Sequence, residues 1–434
     1  RGYYWPLLFD ALDFVACDYS PLMTAKMRSY CKPGAWTGAV VRQKDVSASA
    51  EWRRWLTWTL AGDGIHALWL GDVLGDVDNP DPDAWLLPDG RANEALNTLA
   101  AEVNWINDTV GPLLYAAEPG SPRIAVYDSH ASQLMAEVDG LYGRTISESQ
   151  EAALRMLQLA GYAFRFMDKR RLLDISPDKC KAILLPACRA LDDEEIQAFQ
   201  NFVEQGGTLI ADIVPGDVDA HGVFRDHYSL GSVFGVKLAG APFVNRGMLS
   251  ASPGGTSSRT DAGHVLANAS VTLDAGVPLG TVNGTPAWVV NRRGEGHALL
   301  LNHPFRSIVY EEGRRLVPHE YNAIKTFIDD LPGMPCHEEL ESFLGTIHAF
   351  KYDDAEVYLI VPDPDAPRQS LRLPISRDKA AYNMFTGEKY RRPYRIKYRI
   401  PEGQPLAVSA IPRAIKDIVV NVPEIVHVGG RMPI

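Results

Sequence analysis

The chain has 434 residues, 46% of them hydrophobic and 22% charged, which is more than one ordinary domain and too apolar for a disordered chain. Its net charge of −11 argues against a broad phosphate-binding surface, and so against nucleic acid as a partner. No apolar run reaches the roughly 18 residues of a membrane span, which argues against a membrane partner.

The first third of the chain alternates short apolar segments with amphipathic ones. Residues 12–18 (LDFVACD) read as a buried strand, 23–30 as a helix stopped by Lys32, Pro33 and Gly34, and 36–41 (WTGAVV) as a strand. Residues 49–60 read as a helix, with Trp52, Trp55 and Leu56 at helical spacing, and 65–70 (IHALWL) as a third strand. Apolar strands separated by helices specify a parallel sheet buried on both faces. A polar loop follows at 72–83. Its Asp76, Asp78, Asp81 and Asp83 lack the spacing, glycine and glutamate of an EF-hand, so a solvated loop is the preferred reading over a calcium site. Residues 92–109 read as another helix.

A Pro- and Gly-rich linker is expected at 118–122, and a second α/β unit after it. Strands are predicted at 123–127, 163–167, 181–185 and 208–212, with helices at 147–160 and 192–205, the latter closed by Gly206 and Gly207. This rhythm is that of a doubly wound sheet. Residues 214–300 are richer in Gly, Ser and β-type segments and read as an insertion, before a strand at 298–301 and a helix at 319–331. The first strand of the unit runs into Tyr127, Asp128, Ser129 and His130 where a dinucleotide site needs GxGxxG, so no nucleotide cofactor is expected. Cys188 follows the strand at 181–185 without the flanking glycines of a nucleophile elbow, which argues against a nucleophilic role. His130, His221, His227, His297 and His303 are scattered, and no metal is expected. From about residue 335 the pattern turns to period two, at 355–361, 370–374 and 394–400, with a turn at Thr386-Gly387. That pattern predicts a small antiparallel β-sandwich. The five cysteines, Cys17, Cys31, Cys180, Cys188 and Cys336, have no CxxC or metal spacing. They read as free thiols of a reducing compartment, hence a cytoplasmic location, with secretion or the periplasm left open.

The order of these units resembles that of the β-galactosidases of glycoside hydrolase family 42. The matching stretches are 12–21, 36–39 and 61–69 in the first unit, 183–186 and 202–210 in the second, and 382–387 in the third. The resemblance implies a multidomain α/β architecture. Residues 1–115 would be the C-terminal part of a TIM barrel, 123–333 a Rossmann-like, class I amidotransferase-like trimerisation domain, and 336–434 a β-sandwich. It further implies a carbohydrate substrate, a homotrimer and no cofactor. Counted against that family, residues 1–70 supply only about the last three barrel strands, and the remaining barrel segment is expected upstream of Arg1.

Such enzymes use two carboxylates at the C-terminal ends of barrel strands, one a nucleophile and one a general acid/base. The resemblance puts the acid/base upstream of this chain and the nucleophile three residues after Trp36, where the sequence has Ala39. Either the nucleophile is replaced, the site is inactive, or the strand register differs. Asp18 and Asp72 each follow a predicted strand and are the candidate catalytic acids, against helix capping or loop ion pairs as the plainer reading. Asp45 and Glu51 are better read as belonging to the start of the helix at 49–60. Tyr19, Trp36, Arg42 and Trp69 are the candidate substrate-binding residues, since aromatic faces stack on sugars and a guanidinium can bind hydroxyls. Two functions follow: a β-galactosidase-like hydrolase, or a non-catalytic descendant that keeps the fold for binding or assembly.

Overall fold

The computed structural model describes residues 4–18, 20–32, 35–42, 65–69, 90–92, 97, 100, 104, 118–119, 122–136, 145–159, 162–240, 244–251, 258–305, 328, 345–362, 368–400 and 405–416. The sequence readings at 49–60 and 72–83 lie outside these residues, as do most of 92–109 and 319–331.

The chain starts with α1 (Trp5–Ala11), β1 (Phe14–Asp18), α2 (Pro21–Tyr30), β2 (Trp36–Arg42) and β3 (Ile65–Trp69). The three strands form one parallel sheet in chain order, with Phe14 beside Trp36 and Gly38 beside Ile65. Helix α2 begins where the sequence can start one. The Ser20 side chain accepts from the Met23 amide at 3.3 Å, and Pro21 occupies the first turn, where its missing N–H costs nothing. Helix α1 was not foreseen. Its Trp5 and Phe9 rings stack at 5.5 Å one turn apart, and this short apolar face holds it against the core.

Residues 118–301 contribute β4 (Glu118–Pro119), β5 (Ile124–Tyr127), β6 (Phe164–Met167), β7 (Ala182–Leu185) and β8 (Thr208–Asp212). They continue with β9 (Val236–Leu238), β10 (Val244–Ala251), β11 (Ser258–Asn268), β12 (Val271–Leu273), β13 (Val277–Val282), β14 (Thr285–Arg293) and β15 (Gly296–Leu301). The helices here are α3 (His130–Met135), α4 (Thr145–Leu159), α5 (Lys169–Leu172), α6 (Asp193–Glu204) and α7 (Gly231–Phe234). Nine strands form one sheet in the order β11-β10-β13-β14-β15-β8-β7-β5-β6. The half from β15 to β6 is parallel and the half from β11 to β14 antiparallel. The insertion read at 214–300 therefore widens the sheet, while β9 and β12 pair in a small ribbon beside it.

Strand alternation sorts the buried residues into two layers. Val126, Leu184, Ile210 and Leu299 share one core with α4, and Ala125, Ile183, Leu209 and Leu300 share the other with α6 and α7. The first core also contains Phe9, Val15, Leu22, Met27 and Tyr30. The segments read as separate units at 1–115 and 123–333 thus share apolar packing through α1, β1 and α2.

The C-terminal strands are β16 (Gly345–Tyr352), β17 (Ala355–Pro362), β18 (Gln369–Leu371), β19 (Ala380–Asn383), β20 (Lys389–Tyr390), β21 (Tyr398–Ile400) and β22 (Leu406–Ile411). All pair antiparallel, in a six-stranded sheet β20-β19-β22-β17-β16-β4 and a ribbon β18-β21. Ile360 and Val408 of the sheet meet Leu371 and Tyr398 of the ribbon in one core. Glu118 and Pro119, expected in a linker, instead form the edge strand of this sheet, beside Lys351 and Phe350. A proline is tolerated there because an edge strand need not donate on both sides. No helix among the described residues is long and apolar enough to cross a membrane.

Gly235 closes α7 with φ at 69°. Its carbonyl accepts from the amides of Asp274 and Gly276 at 2.8 and 2.9 Å. An added Cβ would lie 2.5 Å from the Gly276 Cα and 2.9 Å from the Asn291 side chain. Gly387, at φ 71°, has nothing within 4 Å of the same position. Gly235→Ala is expected to cost about 2–4 kcal/mol, through clash as well as backbone strain. Gly387→Ala is expected to cost about 1 kcal/mol, the left-handed backbone alone. Calorimetric unfolding of the two variants checks this, and equal shifts would show that the 235–276 contact yields freely.

Candidate functional site

Parallel strands present their C-terminal ends along one edge, and the three described strands of the first sheet end at Asp18, Arg42 and Trp69. Register sets their levels. Asp18 is beside Val40, which is beside Ala67, while Arg42 is beside Trp69. Arg42 and Trp69 therefore reach about 7 Å beyond the level of Asp18. Three of the predicted site residues are brought to one edge in this way. Trp36 is not, because it opens β2, six positions before Arg42, and so stands about 20 Å away at the opposite end of the sheet. Ala39 is inside β2, beside Cys17 and His66. Tyr19, Asp72, Asp45, Glu51 and the aspartates of 76–83 lie outside the described residues.

Faces of this sheet follow from alternation. Val15 is buried among α1 and α2 residues, and its register partner Thr37 is buried too. Phe14, one position earlier, is 49% exposed. One face of the sheet therefore meets helices, and no described helix packs on the face of position 14.

The second sheet has its own crevice. In its parallel half β5 lies between β6 and β7, so the chain winds first to one side and then to the other. The strand ends at such a reversal are where doubly wound folds take ligands. Here the place is filled by protein. Asp128, directly after β5, is buried and accepts from Lys26 Nζ at 2.8 Å and Gln150 Nε2 at 2.9 Å, and from the Gln133 amide. The Tyr30 hydroxyl approaches its other oxygen at 3.4 Å. Burial, then the Asp128 charge, holds the Tyr30 phenol well above its usual range. Lys26 and Tyr30 both come from α2, which leads out of β1. The sequence reading missed Lys26 and Asp128. The available signal was a lysine standing on the apolar stripe of Met23, Met27 and Tyr30.

Other ties run beside this one. Tyr4 donates to Asp168 at 2.5 Å, Arg170 donates to the same carboxylate at 2.9 Å, and the Phe166 amide donates to Ser29 Oγ at 2.8 Å. The Arg171 guanidinium donates to the Ser29 carbonyl. The last two satisfy backbone groups at β6, the edge strand, and at the end of α2.

Across the crevice, Ala187 follows β7 with φ at 48°. This is the left-handed shape of a strand-to-helix elbow, and it falls on Ala187 rather than on Cys188. Cys188 is completely buried, and burial pushes its thiol far up, so it is no nucleophile. The Ala187 amide donates to Asp212, which also accepts from the Phe305 amide at 2.7 Å. Burial raises the Asp212 carboxyl to about 6. Among the described residues no three potential metal ligands cluster, and Cys180 and Cys188 are buried thiols outside any disulfide.

No family model and no curated protein sequence matches the chain. Solved structures do. A catalytic mutant of Gan42B, a GH42 beta-galactosidase from G. stearothermophilus, superposes with a TM-score of 0.70 at 14% identity, over 93% of this chain and 60% of that one. The fold is that of the family 42 β-galactosidases. The beta-galactosidase of Rahnella sp. R3 gives 0.69 at 16% identity, over 93% and 61%. Alpha-L-fucosidase isoenzyme 2 from Paenibacillus thiaminolyticus gives 0.60 at 12% identity, over 91% and 63%. The chain thus spans about 60% of the length of the family 42 structures it matches.

Removing one partner of a buried ion pair leaves the other charge uncompensated. Lys26→Met is expected to destabilise the chain by about 3–5 kcal/mol. Adding Asp128→Asn is expected to recover part of that loss, because the asparagine keeps an acceptor and removes the stranded charge. Urea unfolding of both variants checks this. A single substitution costing under about 1 kcal/mol would place Asp128 within reach of water.

Proposed function

We propose that the chain is the C-terminal part of a glycoside hydrolase that cleaves β-galactosides or related sugars with a pair of carboxylates. The observation that carries this reading is the edge formed by Asp18, Arg42 and Trp69 in a chain whose fold follows family 42 enzymes over 93% of its length. An acid, a cation and an indole at adjoining strand ends are a suitable set for holding a sugar. Asp18 is assigned as a catalytic carboxylate, and Asp72, three residues past the end of β3, as the alternative or second one. Tyr19, Arg42 and Trp69 are assigned to substrate binding. Trp36 is left out on grounds of position. The partner carboxylate should lie about 5 Å away for retention or about 6.5–9.5 Å for inversion.

Ala39 does not count against catalysis on this reading. Alternation assigns position 39 to the face of Val15 and Thr37, which meets helices, and positions 16 and 18 to the open face of Phe14. A nucleophile belongs at the end of a strand and on the inward face, and residue 39 has neither place. A second reading is favoured by one observation: β2, the strand on which the resemblance puts the nucleophile, ends on Arg42, a base. On that reading the protein binds sugar without cleaving it.

Hydrolysis of an aryl β-galactoside by the gene product at its native length separates these readings. Asp18→Asn or Asp72→Asn is expected to lower turnover by about 100-fold or more, whereas Ala39→Glu is expected to add none. Turnover unchanged by both aspartate substitutions would move the site elsewhere. Galactose binding without turnover would establish the second reading.

The middle sheet is assigned to assembly, because its ligand crevice is occupied by Lys26, Gln133 and Gln150 and its elbow carries Ala187. The protein is expected to be a homotrimer. Light scattering at micromolar concentration measures this, and a monomer would overturn the assignment.

A further inference from the structure

Residues 368–399 of the C-terminal unit carry ten Lys or Arg and two Asp or Glu, a net of +8 in a chain whose total is −11. Seven of the ten are arginine. The ribbon β18-β21 and the turn leading into it hold most of this charge. In the ribbon Leu371 lies beside Tyr398, and both are buried in the core beneath it. Alternation turns the next pair, Ser370 and Arg399, to the outside. The turn adds Arg391, Arg392 and Arg395, all exposed.

This array is held in place rather than trailing in solvent. Arg392 stands at φ 53°, in the left-handed region. Its carbonyl accepts from the Arg395 amide at 2.9 Å, and the Pro393 carbonyl accepts from the Tyr398 hydroxyl at 3.3 Å. The guanidinia of Arg377 and Arg395 lie over the Tyr394 ring, 5.6 and 5.5 Å from its centre. A ring orients a cation without neutralising it. Among the described residues no ion pair joins Arg377, Arg391, Arg392, Arg395 or Arg399 to an acid. Glu356 pairs with Lys379, and Asp378 accepts from the Ser376 hydroxyl. Like charges this dense repel one another and work against the fold, and an anionic partner reverses the sign of that interaction.

The chemistry of the array selects the partner. The arginine fork binds planar oxyanions through two parallel hydrogen bonds, which a lysine cannot do. A lipid surface also takes exposed apolar side chains, and none of the large exposed apolar residues falls between Tyr352 and Ile415. Single-stranded nucleic acid takes open aromatic faces for its bases. Here the Tyr394 ring is under guanidinia, and Tyr390 packs edge-on with Tyr398 at 4.8 Å. A sugar polymer that bears carboxylates needs neither feature.

We propose that the outer face of β18-β21, with the turn at 391–395, binds an anionic polysaccharide through Arg391, Arg395 and Arg399. The inference rests on the hydrolase reading for its choice of a sugar polymer, and it names the class of glycan at which the protein is anchored. Binding is measured without turnover, so the two fail separately.

The test is titration calorimetry of the whole protein with polygalacturonate, and with uncharged galactan, DNA and anionic lipid vesicles for comparison. Polygalacturonate is expected to bind more tightly than any of the other three. Arg391→Gln/Arg395→Gln/Arg399→Gln is expected to weaken that binding about tenfold or more, as is a rise from about 50 to about 500 mM salt. The unfolding midpoint is expected to stay unchanged, since all three side chains are exposed. Arg391→Gln/Arg399→Gln leaves the Tyr394 contacts in place and serves as the second variant, with a loss of about fivefold expected. Polygalacturonate binding that is absent, or equal in both variants and the unsubstituted protein, overturns the proposal. Tighter binding of DNA or of vesicles overturns it in favour of those partners. A change of oligomeric state in either variant, read by light scattering, gives the face to a second copy and overturns it too.

Discussion

The attachment of the first sheet to the second turns on one carboxylate. Asp128 stands where the nine-stranded sheet reverses its winding, and it is buried with Lys26 the one cation in contact among the described residues. A charge in that position must be neutralised and hydrogen-bonded or the site does not form. Lys26 and Tyr30 come from α2, and Gln133 and Gln150 from α3 and α4. The pair, together with the ties of Ser29 to Phe166 and Arg171, sets the rotation and height of α2 on the sheet. Because α2 follows Asp18 by two residues, the same contact also sets where β1 ends. The packing of α2 on the second sheet and the level at which β1 ends are thus linked through the Lys26–Asp128 contact.

Much of the fold could be read from the residues. Parallel strands buried on both faces are continuous apolar runs, and the readings at 12–18, 36–41, 65–70, 181–185 and 208–212 agree with β1, β2, β3, β7 and β8 to within two residues. α6 is legible at 192–205 with its closing Gly206, which stands at φ 102°, and the structure adds a reciprocal cap between Asp192 and Glu195. What could not be read is what depends on distant contacts. Glu118-Pro119 carries every local mark of a linker and becomes a strand because β16 offers it an edge. Half of α1's apolar surface faces no described partner, so its pattern gives no amphipathic stripe. The nine-stranded sheet takes in segments from the insertion that local pattern assigns to a separate elaboration.

The candidate site was legible in part for the same reason. Asp18, Arg42 and Trp69 sit at strand ends that periodicity locates. Trp36 is read as near a strand end, but it opens β2 rather than closing it, and Ala39 comes from counting three residues on from that tryptophan. A residue three positions short of the end is about 10 Å too deep, and odd spacing also puts it on the opposite face. Lys26 and Asp128, 102 residues apart, leave in the sequence only a lysine on an apolar stripe.

The turn after β7 holds a strained backbone beside a fully buried thiol. Ala187 holds a left-handed backbone that costs an L-residue roughly 1–2 kcal/mol, and the structure spends a buried carboxylate, Asp212, on holding it there. No reactive side chain profits, since Cys188 is sealed and Ala187 carries a methyl. Strain of this kind persists when the surroundings over-determine it. Here Asp212 also ties Phe305 to the end of β8, so relaxing the elbow would unfasten the strand ends beside it. The left-handed turn at Ala187 is thus held by its packing and by the contacts of Asp212.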